Sequence, residues 1–511
     1  MINSEDVIYT DRSRIETGQR CARRRWWEYH YQLPGMEVAG VQPAKPALEL
    51  SVGSAVHKGI ENLLKWVMES GVAKTIPNTP YPDQGLDSAI EAALAEFKSI
   101  WDPWLAWSDQ NPLQTLVRDE WDPETETYAP AAVDNKMLLT YQLSEAEALI
   151  EALVAAFYYS PSGLELIANN YQILAVEQEI QLPLAVGLVL NSRPDAILRH
   201  KTTGQYFAWS LKTAKKWTDQ TNQQAEVDNQ GISESIATEF WLNKELEKQN
   251  PGNWVPEADY AVCSGVLMCY LIKGEKRKND LGIYATCSPL IRPYFNTQSF
   301  DHTDFANYAP SGMWTCTEEH EWKGARFGYK VNGVNGCPGG KNHMRGDAWK
   351  QVNLWEIEGV RIQDWVGHLL TEQPEIGLQL VQVPAPYKRE REEMQEWLTQ
   401  VVTQEADIKN AVEIIYCTLY EPQISSMQPD TALSMYFPKN RTACVYPWKC
   451  TWYDTCHKGG QSRLLDPTLF QLPIEQDRDL VITDLLNELN ITPRVPNHPE
   501  REGEPNEKTT P

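Results

Sequence analysis

LVLNSRPDAILRHKTTGQYFAWSLKT, residues 188–213, decides how this chain is read. Two strand-like runs, 188–200 and 205–213, flank a turn at 201–204, which predicts an antiparallel hairpin. The run before it, QILAVEQEIQLPL at 172–184, extends the hairpin to a three-segment meander. Asp195 closes one strand and Lys212 lies on the next. Alternate residues of paired strands share a face, so this carboxylate and this ammonium can meet across the sheet.

Outward from the hairpin, a helix is expected over about 144–169 ahead of it and another over about 220–247 behind it, the latter begun by or containing Gln230. Farther upstream GSAVHKGIENLLKWV predicts a helix from Gly53 to about Val67, with His57 and Glu61 one turn apart. Hydrolysis of a phosphodiester with a divalent metal needs oxygen or imidazole ligands and a cation to offset developing charge. His57, Asp195, Lys212 and Gln230 supply such parts. VCSGVLMCYLIKG at 262–274 reads as a further strand, with helices at about 354–372 and 386–420. The expected organisation is N-terminal helices at 1–66, an insertion at 67–143 with a short helix near 87–100, and a core at 144–290. An aromatic, Gly-rich insertion follows at 291–350, then a helical region at 351–434, a cysteine cluster at 435–460, a helical end at 461–490 and a disordered tail at 491–511.

The cysteines form the second signal. Cys21 stands alone in SRIETGQRCARRRWWEYHY (13–31), read as one helix capped by Ser13, whereas Cys444, Cys450 and Cys456 recur at six-residue steps near the end. Three clustered thiols cannot satisfy one another as disulfides, and a distant fourth completes a set suited to an iron–sulfur cluster or zinc. Cys263, Cys269, Cys287 and Cys417 sit among apolar neighbours and read as buried, inert thiols. Cys316, His320, Cys337 and His343 have zinc-like spacing, with an ordinary loop as the alternative.

Ten cysteines in 511 residues are too sparse for a secreted disulfide scaffold. No apolar run of about 18 residues appears and the first residues are polar, so a cytoplasmic, non-membrane protein is expected. The net charge of −24 argues against a protein that coats nucleic acid nonspecifically but permits a carboxylate-rich metal site.

In order along the chain, GxxxH at Gly53–His57, Asp195 closing a strand, Lys212-Thr213 on the next strand and a Gln230-bearing helix resemble the PD-(D/E)xK nucleases of the RecB type. That branch includes CRISPR-adaptation exonucleases, the AddB subunit and phage exonucleases. The Cys21 segment and the trailing trio resemble the cysteines that hold a 4Fe-4S cluster in many members. The resemblance covers roughly residues 10–60, 170–290 and 435–458. It implies a restriction-endonuclease-like α/β core, a central mixed sheet flanked by helices with helical and loop-rich insertions. It also implies an iron–sulfur clasp of Cys21, Cys444, Cys450 and Cys456 joining the terminal segments over that core.

The implied activity is Mg2+- or Mn2+-dependent DNA hydrolysis at free or single-stranded ends, with a recombinase or helicase as a possible partner. His57, Asp195 and the Leu211 carbonyl would hold the metal, Lys212 would orient water and Gln230 would position Lys212 or substrate. Trp26, Trp27 and Arg23–Arg25 are the expected strand contacts.

Two departures stand out. Ser210 occupies the motif acid's position two before Lys212, and Glu234 stands where the family's Gln-x3-Tyr places tyrosine. A hydroxyl ligates a divalent cation more weakly than a carboxylate, so another acid must substitute: Glu61, Glu177, Glu179, Glu226 or Asp228. The alternative is a catalytically silent DNA-binding or scaffolding protein.

Overall fold

A computed structural model describes residues 8–31, 40–43, 45–70, 84–110, 116–122, 127–133, 135–251, 255, 259–278, 284–286, 288, 290–291, 311–316, 330–331, 334–335, 349–353, 361–372, 374–420, 427–445, 450, 452, 455–459 and 470–471. The chain divides into two compact units. One comprises Met1–Arg12 with Pro46–Glu405, the other Ser13–Lys45 with Ala406–Pro511. The expected tail at 491–511 lies outside the described residues.

The first unit is mixed α/β, with two mixed sheets built from β1 (Ile8–Asp11), β2 (Tyr171–Val176), β3 (Ile180–Ala185), β4 (Leu188–Ser192), β5 (Ala196–His200), β6 (Tyr206–Ala214), β7 (Cys263–Ile272) and β8 (Val381–Gln382). The larger sheet has the order β8-β7-β6-β5-β2 and the smaller β1-β4-β3. The hairpin is β5–β6, antiparallel, with Ala196 opposite Trp209. Strands β6 and β7 are parallel, which requires a crossover, and the helices Asp219–Glu226 and Asn229–Gln249 supply it. Nearly every residue of β7 is buried, which accounts for its continuous apolar run where an alternating one would mark a half-exposed strand.

The three-segment meander is corrected to five strands in two sheets. Glu177 adopts φ 51°, the one positive φ among described non-glycine residues, and the chain leaves the large sheet there to form β3 and β4 before returning at Asp195. The helix expected at 144–169 is two, Asn135–Tyr159 and Leu164–Asn170, broken where Pro161 and Gly163 interrupt the pattern. The helix expected at 220–247 also breaks, between Glu226 and Asn229. The insertion's short helix is the 27-residue Gln84–Gln110, and a hairpin of Leu116–Asp122 with Thr127–Val133 follows. Within 291–350, read as loop, Ser311–Cys316 pairs with Trp349–Asn353.

The His57 helix is Leu48–Ser70, longer than expected, and buries Val52, Val56, Ile60, Leu63, Leu64 and Val67. A Cβ at Gly59 would come within 2.8 Å of Val154 Cγ2 and 3.0 Å of both Ala89 O and Ala93 Cβ, so glycine lets three helices meet at this point. That packing fixes which face of the helix turns inward, and His57 lies beside it.

Candidate functional site

Antiparallel pairing sets Val176 opposite Ala196, and one step further Glu177 N–H donates to Asp195 O at 3.0 Å. Two carboxyl groups are thereby brought together at the end of β2 and β5. His57 reaches them from its helix, with Nδ1–H donating to Asp195 Oδ1 at 3.1 Å, while Leu211 N–H donates to Asp195 Oδ2 at 2.6 Å. Donor atoms of His57, Glu177 and Asp195 lie within 4.8 Å of one another, the one such trio of His, Cys, Asp or Glu among the described residues.

Electrostatics marks the same three groups. Burial and the neighbouring Asp195 push the Glu177 carboxyl up to about 7. Burial works against ionisation of Asp195, but the His57 imidazolium outweighs it and holds the carboxyl low. Burial likewise disfavours charge on His57, and Asp195 outweighs that, raising its pKa. An exposed Arg193 pairs with Glu177 at 2.8 Å, a contact of small energetic weight. The positive φ of Glu177 carries a backbone cost of order 1–3 kcal/mol, at the bend that brings its carboxyl to Asp195.

Lys212 and Gln230 stand beside this group, as expected. Gln230 sits in the first turn of Asn229–Gln249, where the Asp228 side chain caps the helix by accepting from Gln230 N–H at 2.9 Å. Lys212 Nζ donates to Gln230 Oε1, and so does Arg12 Nη1. Burial, then the charge of Arg12, lowers the Lys212 pKa. Arg389 fixes this corner by donating to the carbonyls of Ala225 (3.0 Å), Asp228 (3.2 Å) and Glu226.

Ser210 is fully buried and belongs to a different set of contacts. Its hydroxyl accepts from Gln230 Nε2 at 2.8 Å and lies 3.5 Å from Glu234 Oε1, which also accepts from Gln230. Gln230 and Glu234, one helical turn apart, both face β6. A carboxylate at position 210 would thus abut a second buried one. Ser210→Glu is expected to destabilise the fold by about 3 kcal/mol or more, through overpacking and an uncompensated charge, without raising any metal-dependent activity. A lowered urea midpoint checks the first part, and a stable variant with higher activity contradicts both.

Of the candidate acids, Glu177 joins the trio. Glu61 is engaged by Lys58 at 2.9 Å and Lys65 at 2.5 Å, Asp228 caps its helix and Glu226 accepts from Asn222.

The second unit holds the four cysteines. The helix expected over 13–31 begins at Arg12, so Ser13 lies inside it, and it breaks at Cys21, whose backbone is extended (φ −161°, ψ 108°) between Arg12–Arg20 and Ala22–Arg25. Trp26–His30 then forms a widened turn closed by Tyr31 N–H to Trp26 O at 2.7 Å. Trp27 Nε1–H donates to Cys456 Sγ at 3.4 Å, and Cys450 N–H to Cys444 O at 2.9 Å. Burial, then the proximity of Cys21, Cys450 and Cys456, raises the Cys444 thiol. The four thiols are therefore neighbours.

Three expectations are corrected here. Trp26 and Trp27 are buried in this unit's core with Phe437 and Trp452, so they present no stacking platform. Arg23 and Arg25 are buried too, Arg23 donating to Phe437 O at 2.7 Å and Leu433 O at 2.9 Å at the end of helix Pro429–Tyr436. Cys417 is exposed, whereas Cys263 and Cys269 are buried as read and Cys287 lies outside the described residues. His320, Cys337, His343 and the Cys316 side chain also lie outside them.

The chain matches no protein-family model and no curated protein. Arg12, Glu234 and Arg389 are the site residues that sequence reasoning missed. Glu234 carried a signal, since it stands one turn after Gln230, but Arg12 and Arg389 come from remote segments that no local pattern connects to the hairpin. Among the described residues, no helix is long and apolar enough to cross a membrane.

Proposed function

We propose that the first unit is a divalent-metal-dependent deoxyribonuclease of the PD-(D/E)xK type with a restriction-endonuclease-like core. The observation that carries this reading is the convergence of His57 from its helix, Glu177 just after β2 and Asp195 just before β5, with Lys212 of β6 alongside. Their donors fit a cation of the Mg2+ or Mn2+ class, and the imidazole favours Mn2+. A bound cation would supply Lewis acidity toward a phosphoryl oxygen. Asp195 orients His57 and is itself held by the Leu211 amide. Lys212, steered by Gln230, faces developing negative charge and the attacking water. Ser210 favours a silent DNA-binding protein, but Glu177 supplies the carboxylate that reading assumes to be missing.

In the second unit, Cys21, Cys444, Cys450 and Cys456 would hold a 4Fe-4S cluster, a reading supported by the five-residue gaps of the trailing trio, looser than the two- to four-residue spacing of a zinc knuckle, with the Trp27 N–H directed at the Cys456 sulfur. The role is structural, because hydrolysis requires no electron transfer.

Fluorescent single- and double-stranded DNA incubated with Mg2+, Mn2+ or chelator tests the activity. Lys212→Ala is expected to abolish metal-dependent cleavage while leaving the circular dichroism and melting transition of the protein in place. Unchanged cleavage in that variant rejects the assigned site.

A further inference from the structure

Ser210 and Lys212, two apart on β6, share one face of the strand, and Gln230 and Glu234, one turn apart on the helix Asn229–Gln249, meet that face. The backbone at this helix start is already fixed by the Asp228 cap and the Arg389 hydrogen bonds, so what remains to be set is the direction of the Gln230 amide. Its two ends have opposite surroundings. Oε1 accepts from Lys212 Nζ and Arg12 Nη1, while the Nε2 hydrogens go to Ser210 Oγ at 2.8 Å and to Glu234 Oε1. An amide turned end for end would set its N–H groups against two cationic donors and its oxygen against the Glu234 oxygen, forfeiting these bonds. The lysine alone does not enforce this choice, because Glu234, Asp195 and Asp228 all attract its ammonium and a wandering amide would leave it to follow any of them. Glu234 is placed to enforce it. It is buried, its Oε1 serves Gln230 and Ser210, and its Oε2 has no hydrogen-bond partner among the described residues, so among them its hydrogen bonds serve this corner alone.

We propose that Glu234, with the Ser210 hydroxyl beside it, is a positioning residue: it holds the Gln230 amide with Oε1 toward Lys212, and so keeps the ammonium directed at the reacting phosphate instead of at the neighbouring carboxyls. The assignment rests on the nuclease reading. It also joins the two departures from the motif in one role. The small hydroxyl at position 210 leaves room for an acid at position 234, and that acid acts on the lysine through Gln230 and not on the cation.

The test follows Mn2+-dependent cleavage of a fluorescein-labelled oligothymidylate by the full chain and separates reach from charge at position 234. Glu234→Asp keeps the charge but falls one methylene short of Gln230, whereas Glu234→Gln keeps the reach and an acceptor oxygen. Glu234→Asp is expected to lower kcat about 10²-fold with little change in KM, as a misplaced catalytic group does. Glu234→Gln should lose less than about tenfold, the weight of one weakened hydrogen bond. In a Gln230→Leu background, where no amide is left to orient, Glu234→Asp should cost nothing further. Calorimetric Mn2+ affinity should stay higher in Glu234→Gln than in Glu177→Gln. A Glu234→Asp variant that loses no more kcat than Glu234→Gln, or the same loss again in the Gln230→Leu background, overturns this assignment alone. So does an Mn2+ affinity as low in Glu234→Gln as in Glu177→Gln, which would make Glu234 a ligand to the cation. Should Glu234→Asp fail to fold, as a melting curve would reveal, Glu234→Gln decides the matter: a kcat more than about tenfold down overturns the positioning role. If the unaltered protein cleaves no DNA with Mn2+, the nuclease reading falls and this assignment with it.

Discussion

Asp195→Asn is expected to lower metal-dependent DNA cleavage by about 10³-fold or more, with Glu177→Gln close behind. Asp195 is the hub of the candidate centre, contacted by His57, by the Leu211 amide and by Glu177. Neutralising it removes a ligand charge and leaves His57 without its orienting partner. A cation contributes several kcal/mol of charge stabilisation, and each 1.36 kcal/mol is a factor of ten in rate, so losing about 4 kcal/mol gives the stated drop.

The pH dependence separates the roles of the two acids. With its carboxyl pushed up to about 7, Glu177 must lose a proton before it can hold a cation. Mn2+ affinity should therefore climb with pH through about 7 as Glu177 loses its proton, and the His57 imidazolium, its pKa also raised by Asp195, adds a second proton that binding must release. The stability sign runs the other way in metal-free protein. An ordinary glutamate titrates near 4.3, so the native state keeps this proton longer than the unfolded chain does. The associated stability is complete below about 4.3 and is lost as pH rises through about 7. Glu177→Gln should accordingly make the pH profile of Mn2+ affinity shallower, leaving the His57 proton as the remaining dependence, and raise the melting temperature of metal-free protein at pH 8. Calorimetric titration and thermal melts at pH 5.5 and 8 measure both. An unchanged pH profile of affinity in Glu177→Gln removes that residue from the centre.

How far the sequence revealed this site depends on the kind of signal each residue carries. His57, Asp195, Lys212 and Gln230 were legible because each sits on an element with its own periodic pattern, and the β5–β6 hairpin has a turn that fixes its register. Glu177 was legible only as one acid among five. Its selection depends on β2 pairing with β5 across the excursion through β3 and β4, and no local pattern announces that two strands leave the sheet between them. Ser210 shows the opposite error, where a motif position suggested a ligand but the register turns the hydroxyl toward Glu234. Trp26, Trp27, Arg23 and Arg25 were read as nucleic-acid contacts on the strength of the family resemblance. Composition cannot distinguish a basic aromatic helix that faces solvent from one that buries its tryptophans and spends its guanidinium groups on backbone carbonyls.

Cys450→Ser, like Cys21→Ser, is expected to yield colourless protein in which the second unit no longer folds. Among the described residues its apolar core is formed by Trp26, Trp27, Tyr31, Val41, Ala411, Ile415, Ala432, Leu433, Phe437 and Trp452, and it must also accommodate buried Arg23 and Arg25. Ordering two segments distant in the chain costs conformational entropy that this packing must offset. Binding of a structural metal group contributes on the order of 10 kcal/mol in small modules, comparable to the whole stability of a domain. The loss of one thiolate should therefore register as loss of structure as well as of colour. Limited proteolysis should open sites within 13–45 and 427–459 that the unaltered protein protects. Anaerobically purified unaltered protein should carry about four iron and four acid-labile sulfide per chain. One zinc per chain would transfer the structural role to a different metal. Intact protection in a metal-free Cys450→Ser variant would show that the aromatic core holds these segments without the thiols.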